Sequence, residues 1–489
     1  MRKMFLLLGT AAIAAAPVAS SAQVAGRPLS PRYVQESQQD HPKLIAEFGG
    51  AETGARAAYV DGVGRRVAAY SGVTPGAYRF TVLNSAVENA FATPGGYIYI
   101  TRQLMALMDN ESELAFALGH EVGHVAANHA QARQSYARRN TVLGVLGAVL
   151  GSVVGGSGLG DLFSRGAMQA SQMATLGFSR EQEYQADTLG LRYLLAAGYD
   201  PAGGAGVLAA LTRQTALEAR VQGRDNRQTP EWASTHPLSQ NRVQRALAEA
   251  RATGRLGTGM RNRDQFLAQL NGITVDDDPA QGVIEGRTFT HPDLRIFFAV
   301  PPGYLMSNGT TAVSIKGSAG QAQFSGGRYS GSLENYIYQV LRSLTEGQIA
   351  LQMAPTQRTT INGIPAAYAV GRANTSSGAV DVSVFAYQWA PGTVYHFVML
   401  TQGGAGIGPF VPMVESIRRI TPNEAAAIRP RIINVVTVRP GDTLQSLASR
   451  MAYPTFQLDR FLALNGLQAN SRLVPGQKVK LVVYSLRRA

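Results

Sequence analysis

Apolar side chains recur at helical spacing between residues 111 and 126. They are Leu114, Leu118, Val122 and Val125. Residues three or four apart lie on the same face of a helix, so this set forms one apolar stripe. Asp109 or Asn110 can cap the first turn, and Glu113 stands three residues after Asn110, as in a capping box. The pattern predicts a helix with one buried face.

The same segment carries a second pattern, because residues 118–126 read LGHEVGHVA. His120 and His124 would lie one turn apart on one face, where two imidazoles can share a metal ion. Glu121 could then take a proton from a water molecule activated by that ion. The alternative is an ordinary helix with two core or surface histidines.

A catalytic zinc ion usually takes three protein ligands and keeps one position open. Residues 179–187 read SREQEYQAD, and a helix there would place Glu183 and Asp187 on one face. Glu183 is the predicted third ligand, and Asp187 is expected to accept a hydrogen bond from a ligand histidine. Glu181 is a rival ligand without a carboxylate one turn later. The alternative is a solvated acidic helix face.

A third segment, residues 234–242, reads STHPLSQNR. His236 precedes a proline, which favours extended backbone at a helix entrance. We expect His236 to stabilise the oxyanion of a tetrahedral intermediate or to fill the open metal position. Arg242, roughly two turns into the next helix, could support the same charge. Taken alone, His236 is typical of a surface loop.

A turn and a strand precede the histidine helix, since residues 89–100 read NAFATPGGYIYI. Pro94-Gly95-Gly96 predicts a turn, and Tyr97 to Thr101 has strand composition. A strand beside the helix could receive an extended substrate at its edge. The alternative is a structural hairpin.

These four motifs, covering roughly residues 40–250 in this order, resemble the gluzincin zinc endopeptidases related to the CAAX prenyl protease and the HtpX peptidase. Within that family the chain is most similar to the soluble bacterial envelope branch. The resemblance implies one zinc ion per chain and a zincin-like, mainly helical domain with a small sheet. It implies that Glu121 is the general base and that His236 lies near the metal with Arg242 behind it. It also implies that the zinc ligands are His120, His124 and Glu183. Asp187 would be the neighbouring carboxylate that contacts a ligand histidine.

The sequence pattern changes from helical to strand-like after these motifs. Helical patterns end near Gly254, and residues 276–279 read DDDP, typical of a linker. Short runs of strand character then recur with turn residues between them, as in Asn362-Gly363. We therefore predict an α+β domain with an antiparallel sheet over residues 282–422. Its histidines, His291 and His396, are interpreted as structural.

The C-terminal residues 434–484 predict a strand, two short helices and a closing strand. The runs VTVRPGDTLQSLA, LALNGL and LVPGQKV resemble a LysM module, a βααβ domain that binds N-acetylglucosamine polymers such as peptidoglycan. The stretch from Met451 to Leu458 is longer than is usual there. The resemblance implies glycan contacts from two loops, with candidate residues Gly441, Asp442, Thr443, Asn465 and Gly466.

The composition indicates a destination. Met1-Arg2-Lys3, the apolar stretch Met4 to Ala16 and small residues ending at Ala22 predict a signal peptide over residues 1–22. The peptidase domain is then expected over residues 23–275. The chain has no cysteine, which excludes disulfides, cysteine catalysis and a thiol-linked lipid anchor. We expect an exported, periplasmic protein without a transmembrane span.

The charge balance bears on partners. The formal net charge of +13 becomes +11 (13 − 2) when Arg2 and Lys3 are removed, which favours peripheral contact with anionic membrane or envelope surfaces. No recognition helix or interleaved basic and aromatic run occurs, so nucleic acid is not an expected partner. The glycine-rich residues 141–160 predict a helix or lid packed over the cleft, or else an element that touches a membrane or partner.

The chain of 489 residues is thus predicted to be multidomain. The predicted function is a periplasmic zinc metalloendopeptidase that cuts protein or peptide substrates in envelope quality control, held near peptidoglycan by its tail. Two alternatives stay open. One is a wall-binding chaperone or scaffold with a latent zinc site, and the other is an endopeptidase for peptidoglycan cross-links.

Overall fold

The computed structural model of the chain describes five stretches, residues 26–129, 178–221, 240–345, 351–375 and 378–486. Three predictions concern residues outside them. These are the signal peptide, the glycine-rich residues 141–160 and His236.

The first part of the described chain is mainly helical. Its helices are α1 Pro31–Glu47, α2 Ala55–Ala68, α3 Arg102–Leu107, α4 Glu111–Ala126, α5 Arg180–Ala196, α6 Ala202–Val221, α7 Gln240–Ala252 and α8 Arg263–Leu270. The predicted histidine helix corresponds to α4, which packs against α2, α5 and α6. Fifteen of its sixteen residues are buried, so α4 is the central helix of this part rather than a surface helix with one apolar face.

A small three-stranded sheet covers one side of α4. Its strands are β1 Arg79–Leu83, β2 Ala90–Ala92 and β3 Tyr97–Thr101. The predicted strand is β3, and the predicted turn precedes it with Gly96 at a φ of 85°. Because β3 pairs with β1 in parallel and with β2 antiparallel, it is the central strand. Strands β1 and β2 are therefore the two edges, and β2 is the edge that contacts α4.

The prediction that helices end near Gly254 was wrong, because α8 follows at Arg263–Leu270. Three apolar side chains of this short helix are buried, namely Phe266, Leu267 and Leu270. They pack into a core that includes residues of the C-terminal module, so this helix depends on a distant segment.

The middle of the chain folds around antiparallel sheets, as the sequence predicts. Seven strands form a continuous order β11-β13-β14-β15-β10-β9-β8, with β12 pairing beside β13. Their bounds are β8 Leu305–Asn308, β9 Ala312–Gly317, β10 Gly320–Arg328, β11 Gln352–Met353, β12 Gln357–Ile361, β13 Ile364–Thr375, β14 Gly378–Ala390 and β15 Thr393–Gln402. Helix α9, Leu333–Thr345, packs on one face through Ile337 and Leu341. The opposite face covers an aromatic core around Phe298 and Phe397.

A second, smaller antiparallel sheet closes this aromatic core. Its strand order is β16-β7-β6-β5. The strands are β5 Val283–Glu285, β6 Thr288–His291, β7 Ile296–Ala299 and β16 Arg418–Arg419. Two short helices flank β16, namely α10 Val411–Ser416 and α11 Pro422–Ala427.

The C-terminal module has the predicted order of strand, two helices and strand. Its elements are β17 Arg431–Thr437, α12 Leu444–Ala448, α13 Gln457–Leu464 and β18 Lys478–Tyr484. A third strand, β4 Thr274–Val275, comes from the end of the helical part and pairs with β17. The module is thus joined to the helical part by backbone hydrogen bonds.

One continuous hydrophobic core unites the module with the helical part. Leu104 and Met105 of α3 belong to the same buried cluster as Phe461 and Leu481 of the module. Among the described helices, none combines the length and apolar character needed to cross a membrane.

Candidate metal centre

Helix α4 begins at a well-defined cap. Asn110 is the N-cap, because its Oδ1 accepts a hydrogen bond from the Glu113 backbone amide at 3.3 Å. The Glu113 carboxylate in turn accepts from the Asn110 side chain at 2.8 Å and from the Asp109 amide at 2.9 Å. The sequence left Asp109 and Asn110 as alternatives, and the structure selects Asn110. This cap fixes the start of the helix about three turns before the first histidine.

Glycines let α5 approach α4 closely. A Cβ on Gly190 of α5 would lie 3.1 Å from the His120 backbone nitrogen, and one on Gly123 would lie 3.2 Å from the Ala186 carbonyl oxygen. The two backbones therefore meet at the level of the histidines. This contact brings the carboxylates of α5 to the imidazoles of α4.

His120, His124 and Glu183 converge on one point. Their closest atoms are His120 Nε2 and His124 Nε2 at 3.0 Å, His124 Nε2 and Glu183 Oε1 at 3.4 Å, and His120 Nε2 and Glu183 Oε2 at 3.6 Å. A tetrahedral zinc ion bound at about 2.0–2.2 Å holds its ligand atoms roughly 3.3–3.6 Å apart. The two edges to Glu183 match this spacing, and the edge between the histidine nitrogens is a few tenths of an ångström shorter. The three residues can thus converge on one metal ion, and two nitrogen donors with one carboxylate match a catalytic zinc ligand set.

Asp187 and Arg242 surround the carboxylate side of this triangle. Asp187 Oδ1 lies 3.0 Å from His120 Nδ1, the nitrogen that faces away from the convergence point. The Arg242 guanidinium donates two hydrogen bonds to Asp187, at 2.9 and 2.8 Å, and its Nη1 lies 2.8 Å from Glu183 Oε2. Among the described residues, Arg242 contacts the two carboxylates. Its predicted place behind His236 stays a prediction, because His236 lies outside the described residues.

These contacts determine the charge of Asp187. Burial alone would raise the pKa of this carboxyl group, but the hydrogen bond with His120 and the positive charge of Arg242 outweigh burial and bring the pKa to about 2. Asp187 is therefore a carboxylate at neutral pH, and its Oδ1 can accept a hydrogen bond from a His120 ring whose proton is on Nδ1. That hydrogen bond would leave Nε2 with its lone pair toward the convergence point.

Glu121 is 2% exposed and lies at a pocket beside the triangle. The pocket is also lined by His120, Arg242, Ala90 of the edge strand β2 and Leu208 of α6. A second pocket lies between His124 and the turn after β2, and Thr93 and Pro94 line it. A chain bound along β2 would thus pass next to both histidines.

The rival ligand Glu181 is separated from the triangle. Its side chain is exposed on the first turn of α5, whereas Glu183 is 1% exposed. The structure therefore places Glu183, and not Glu181, beside the histidines.

Sequence reasoning missed His129, which is 4% exposed. Its Nδ1 lies 2.9 Å from His124 Nδ1, and its Nε2 lies 3.0 Å from Gln185 Oε1 on α5. Burial lowers the pKa of His129, although the hydrogen bond with Gln185 raises it in part. The available signal was a third histidine five residues after His124, in a chain with only seven histidines.

The glycan candidates occupy two different environments. Gly441, Thr443 and Gly466 are exposed. The Thr443 hydroxyl caps α12 by accepting from the Ser446 amide at 3.0 Å. The Asp442 carboxylate, which is partly buried, accepts from the Arg439 amide at 2.7 Å.

Asn465 is 9% exposed and engages the module's own backbone. Its side-chain amide donates to the carbonyls of Phe461 and Lys480, both at 2.9 Å, and its Oδ1 accepts from the Lys480 amide at 2.7 Å. The structure thus gives Asn465 contacts that hold the module together, and glycan binding by these loops stays a prediction.

Comparison with known proteins agrees with this arrangement. Residues 54–250 match the model of Peptidase family M48, and residues 436–482 match the LysM domain model. The chain is 30% identical over 198 residues to the beta-barrel assembly-enhancing protease of Escherichia coli K12, which covers 40% of this chain and 38% of that protein. The protein of the same name from Yersinia pestis is 30% identical over 196 residues, covering 39% and 38%.

A mitochondrial relative is more distant. The metalloendopeptidase OMA1 of Schizosaccharomyces pombe is 28% identical over 187 residues, covering 38% of this chain and 51% of that protein. The chain thus spans about two fifths to one half of the length of these relatives. The matched segment contains the complete His120, His124 and Glu183 triangle. The chain thus contains a segment over residues 54–250 that matches Peptidase family M48 and a segment over residues 436–482 that matches the LysM domain.

Proposed function

We propose that this protein is a zinc-dependent endopeptidase. The observation that carries the proposal is the triangle of two imidazole nitrogens and one carboxylate, with edges of 3.0, 3.4 and 3.6 Å, next to Glu121. His120, His124 and Glu183 would hold the ion. When bound, zinc lowers the pKa of a water molecule and polarises a peptide carbonyl group.

Three side chains around the ion, Glu121, Asp187 and Arg242, have separate roles in the proposed hydrolysis. Glu121 accepts the proton of the attacking water and returns it to the departing amine nitrogen, so one carboxylate serves both halves of the hydrolysis. Asp187 keeps His120 in the tautomer whose Nε2 lone pair faces the ion. Arg242 pairs with Asp187 and Glu183, which holds both carboxylates in place while they are buried. A substrate strand added to the edge of β2 brings its scissile bond to this point.

A comparison of three purified proteins tests this mechanism, namely wild type, Glu121→Gln and Glu181→Gln. Zinc content is measured by elemental analysis, and casein cleavage is measured at saturating zinc. We expect all three to hold one zinc ion, and Glu121→Gln to lose about 10²- to 10⁴-fold in rate because the general base is gone. Glu181→Gln, which changes an exposed carboxylate on α5, keeps the wild-type rate. Full cleavage by zinc-loaded Glu121→Gln, or no zinc in the wild type, would reject the proposal.

We further propose that the enzyme acts in the bacterial periplasm on misassembled envelope proteins. The LysM match and the relatives named for beta-barrel assembly support an envelope location. β-Barrel proteins that have failed to assemble are the first substrates to test, because their unpaired strands can add to an exposed sheet edge.

A second candidate function is hydrolysis of peptide cross-links in peptidoglycan, and the LysM match favours it. Incubation of purified sacculi with wild type and with Glu121→Gln, followed by muropeptide analysis, distinguishes the two functions. Stem-peptide products that appear only with the wild type would support the second candidate. Casein cleavage without such products supports protein substrates.

A further inference from the structure

His129 reaches the metal centre through an unusual turn at the end of α4. The helix ends at Ala126, and Asn128 follows with a φ of 58°, in the left-handed region that asparagine tolerates better than most residues. Arg27 holds this turn by donating to the Ala126 carbonyl at 2.9 Å and to Asn128 Oδ1 at 3.2 Å. The turn folds the chain back, so the His129 ring lies against His124 at a centroid separation of 5.0 Å.

The two hydrogen bonds of His129 determine where the protons lie. His124 Nε2 points into the triangle, so a metal ion there requires its lone pair, and the ring proton must be on Nδ1. His124 Nδ1 is then a donor, and its partner 2.9 Å away, His129 Nδ1, must be an acceptor. The proton of His129 consequently lies on Nε2, which faces Gln185 Oε1 at 3.0 Å. In this row of hydrogen bonds from His124 through His129 to Gln185, every donor therefore faces an acceptor.

We infer that His129 is a positioning residue of the metal centre, which orients His124 by accepting its Nδ1–H and is itself oriented by Gln185. This inference rests on the proposed zinc site. His124 thus has a neutral partner, whereas His120 has the carboxylate of Asp187. The neutral partner adds no negative charge to a site where, among the described residues, Glu183 and Asp187 already pair with the Arg242 guanidinium. Less negative charge around the ion leaves it better able to polarise a carbonyl group.

Two substitutions at position 129 separate orientation from packing. His129→Phe keeps a ring of similar size but has no acceptor. His129→Asn carries its Oδ1 close to the place of the histidine Nδ1, so it can still accept from His124 while losing the contact with Gln185. His41→Phe is the control, because His41 also has one ring nitrogen bonded, to the Tyr99 hydroxyl at 2.8 Å, but contacts no triangle residue among its described partners.

The measurements are zinc affinity of the full chain by chelator competition, the visible absorption bands of the cobalt-substituted protein, and thermal unfolding of the metal-free protein. We expect His129→Phe to bind zinc about 10- to 100-fold more weakly and to shift the cobalt bands, as loss of a partner behind a ligand does. His129→Asn recovers most of the affinity, and His41→Phe matches the wild type.

Two results would overturn the inference. One is wild-type zinc affinity and cobalt spectrum in His129→Phe. The other is an equal loss of affinity in the Phe and Asn variants that follows their loss of thermal stability, which would make His129 only a packing residue. Failure of the proposed function is a separate result, because it would appear as a wild-type protein that binds no zinc.

Discussion

Lys480 and Asp109 form a buried ion pair between the C-terminal module and the segment that leads into the histidine helix. Lys480 Nζ lies 3.1 Å from Asp109 Oδ1, and the lysine side chain is 1% exposed. The same ammonium donates to the backbone carbonyls of Met108 at 2.6 Å and Ala106 at 3.0 Å, which end α3. Asp109 is next to Asn110, the N-cap of α4. The C-terminal module therefore stabilises the segment at which α4 begins, in addition to its proposed role in binding peptidoglycan.

Removing this charge should destabilise the whole helical part. We expect Lys480→Met to lower the free energy of unfolding by about 3 kcal/mol, because Asp109 and two carbonyl oxygens lose a buried partner. Lys478→Met is the matched control on the same strand, since its ion pair with Asp264 is largely exposed and should contribute less than about 1 kcal/mol. Urea unfolding followed by circular dichroism measures both. Equal effects of the two substitutions would show that the module does not brace α4.

The two glutamates at the start of α5 should differ sharply in metal binding. We expect Glu183→Gln to weaken zinc binding by about 100-fold or more, because it removes the charged ligand of the triangle. Glu181→Gln should leave the affinity unchanged, since that carboxylate is exposed and outside the triangle. Isothermal titration of the metal-free proteins with zinc makes the comparison. A loss of similar size in both variants would exclude the assigned ligand set.

Helices α4 and α5 approach so closely at Gly190 that an added methyl group there should destabilise the site. In Gly190→Ala the new Cβ would lie 3.1 Å from the His120 backbone nitrogen, so the backbones of α4 and α5 must move apart by a few tenths of an ångström. We expect a loss of about 1–3 kcal/mol in stability together with weaker zinc binding.

Gly62→Ala provides the control for this helix substitution. Gly62 lies in α2 with open space around its Cβ position, and alanine there should stabilise the protein by up to about 1 kcal/mol. Chemical unfolding of both variants, with zinc titration of Gly190→Ala, tests the pair. Unchanged zinc affinity in Gly190→Ala would refute the helix-contact argument.

The middle domain should lose stability in mild acid. Burial lowers the pKa of His396 from 6.5 to about 4, while its ring bonds the Tyr336 hydroxyl at 2.9 Å and the Ser325 hydroxyl at 3.2 Å. Below pH 6.5 the His396 side chain becomes protonated in the unfolded chain, whereas in the folded domain it stays neutral until about pH 4. Stability therefore falls as the pH drops through this window, by about 3 kcal/mol in total.

Trp389 can report this transition, because it is 6% exposed in the same domain and Trp232 is the second of only two tryptophans. In a Trp232→Phe background, fluorescence-monitored urea unfolding at pH 7.5 and pH 4.5 measures the loss. His396→Phe should flatten the pH dependence. An unchanged pH profile in that variant would assign the acid sensitivity to other groups.

The sequence alone determined the elements whose signals are local. The spacing of His120 and His124 follows from the helical repeat, and that of Glu183 and Asp187 does so on a second helix. The structure places both pairs next to each other. The turn at Pro94-Gly95-Gly96 and the strand order of the C-terminal module were also predicted, because turn residues and apolar alternation act over a few positions.

Tertiary structure decided what depends on surfaces distant in the chain. His129 was missed because nothing local distinguishes a core histidine from one folded back onto a ligand. The pairing of Lys480 with Asp109 joins residues 371 positions apart (480 − 109), and α8 packs against β17 of the module as well as against α2 and α4. Periodicity specifies which face of an element is apolar, but the partner that buries this face is selected by shape and charge across the whole fold.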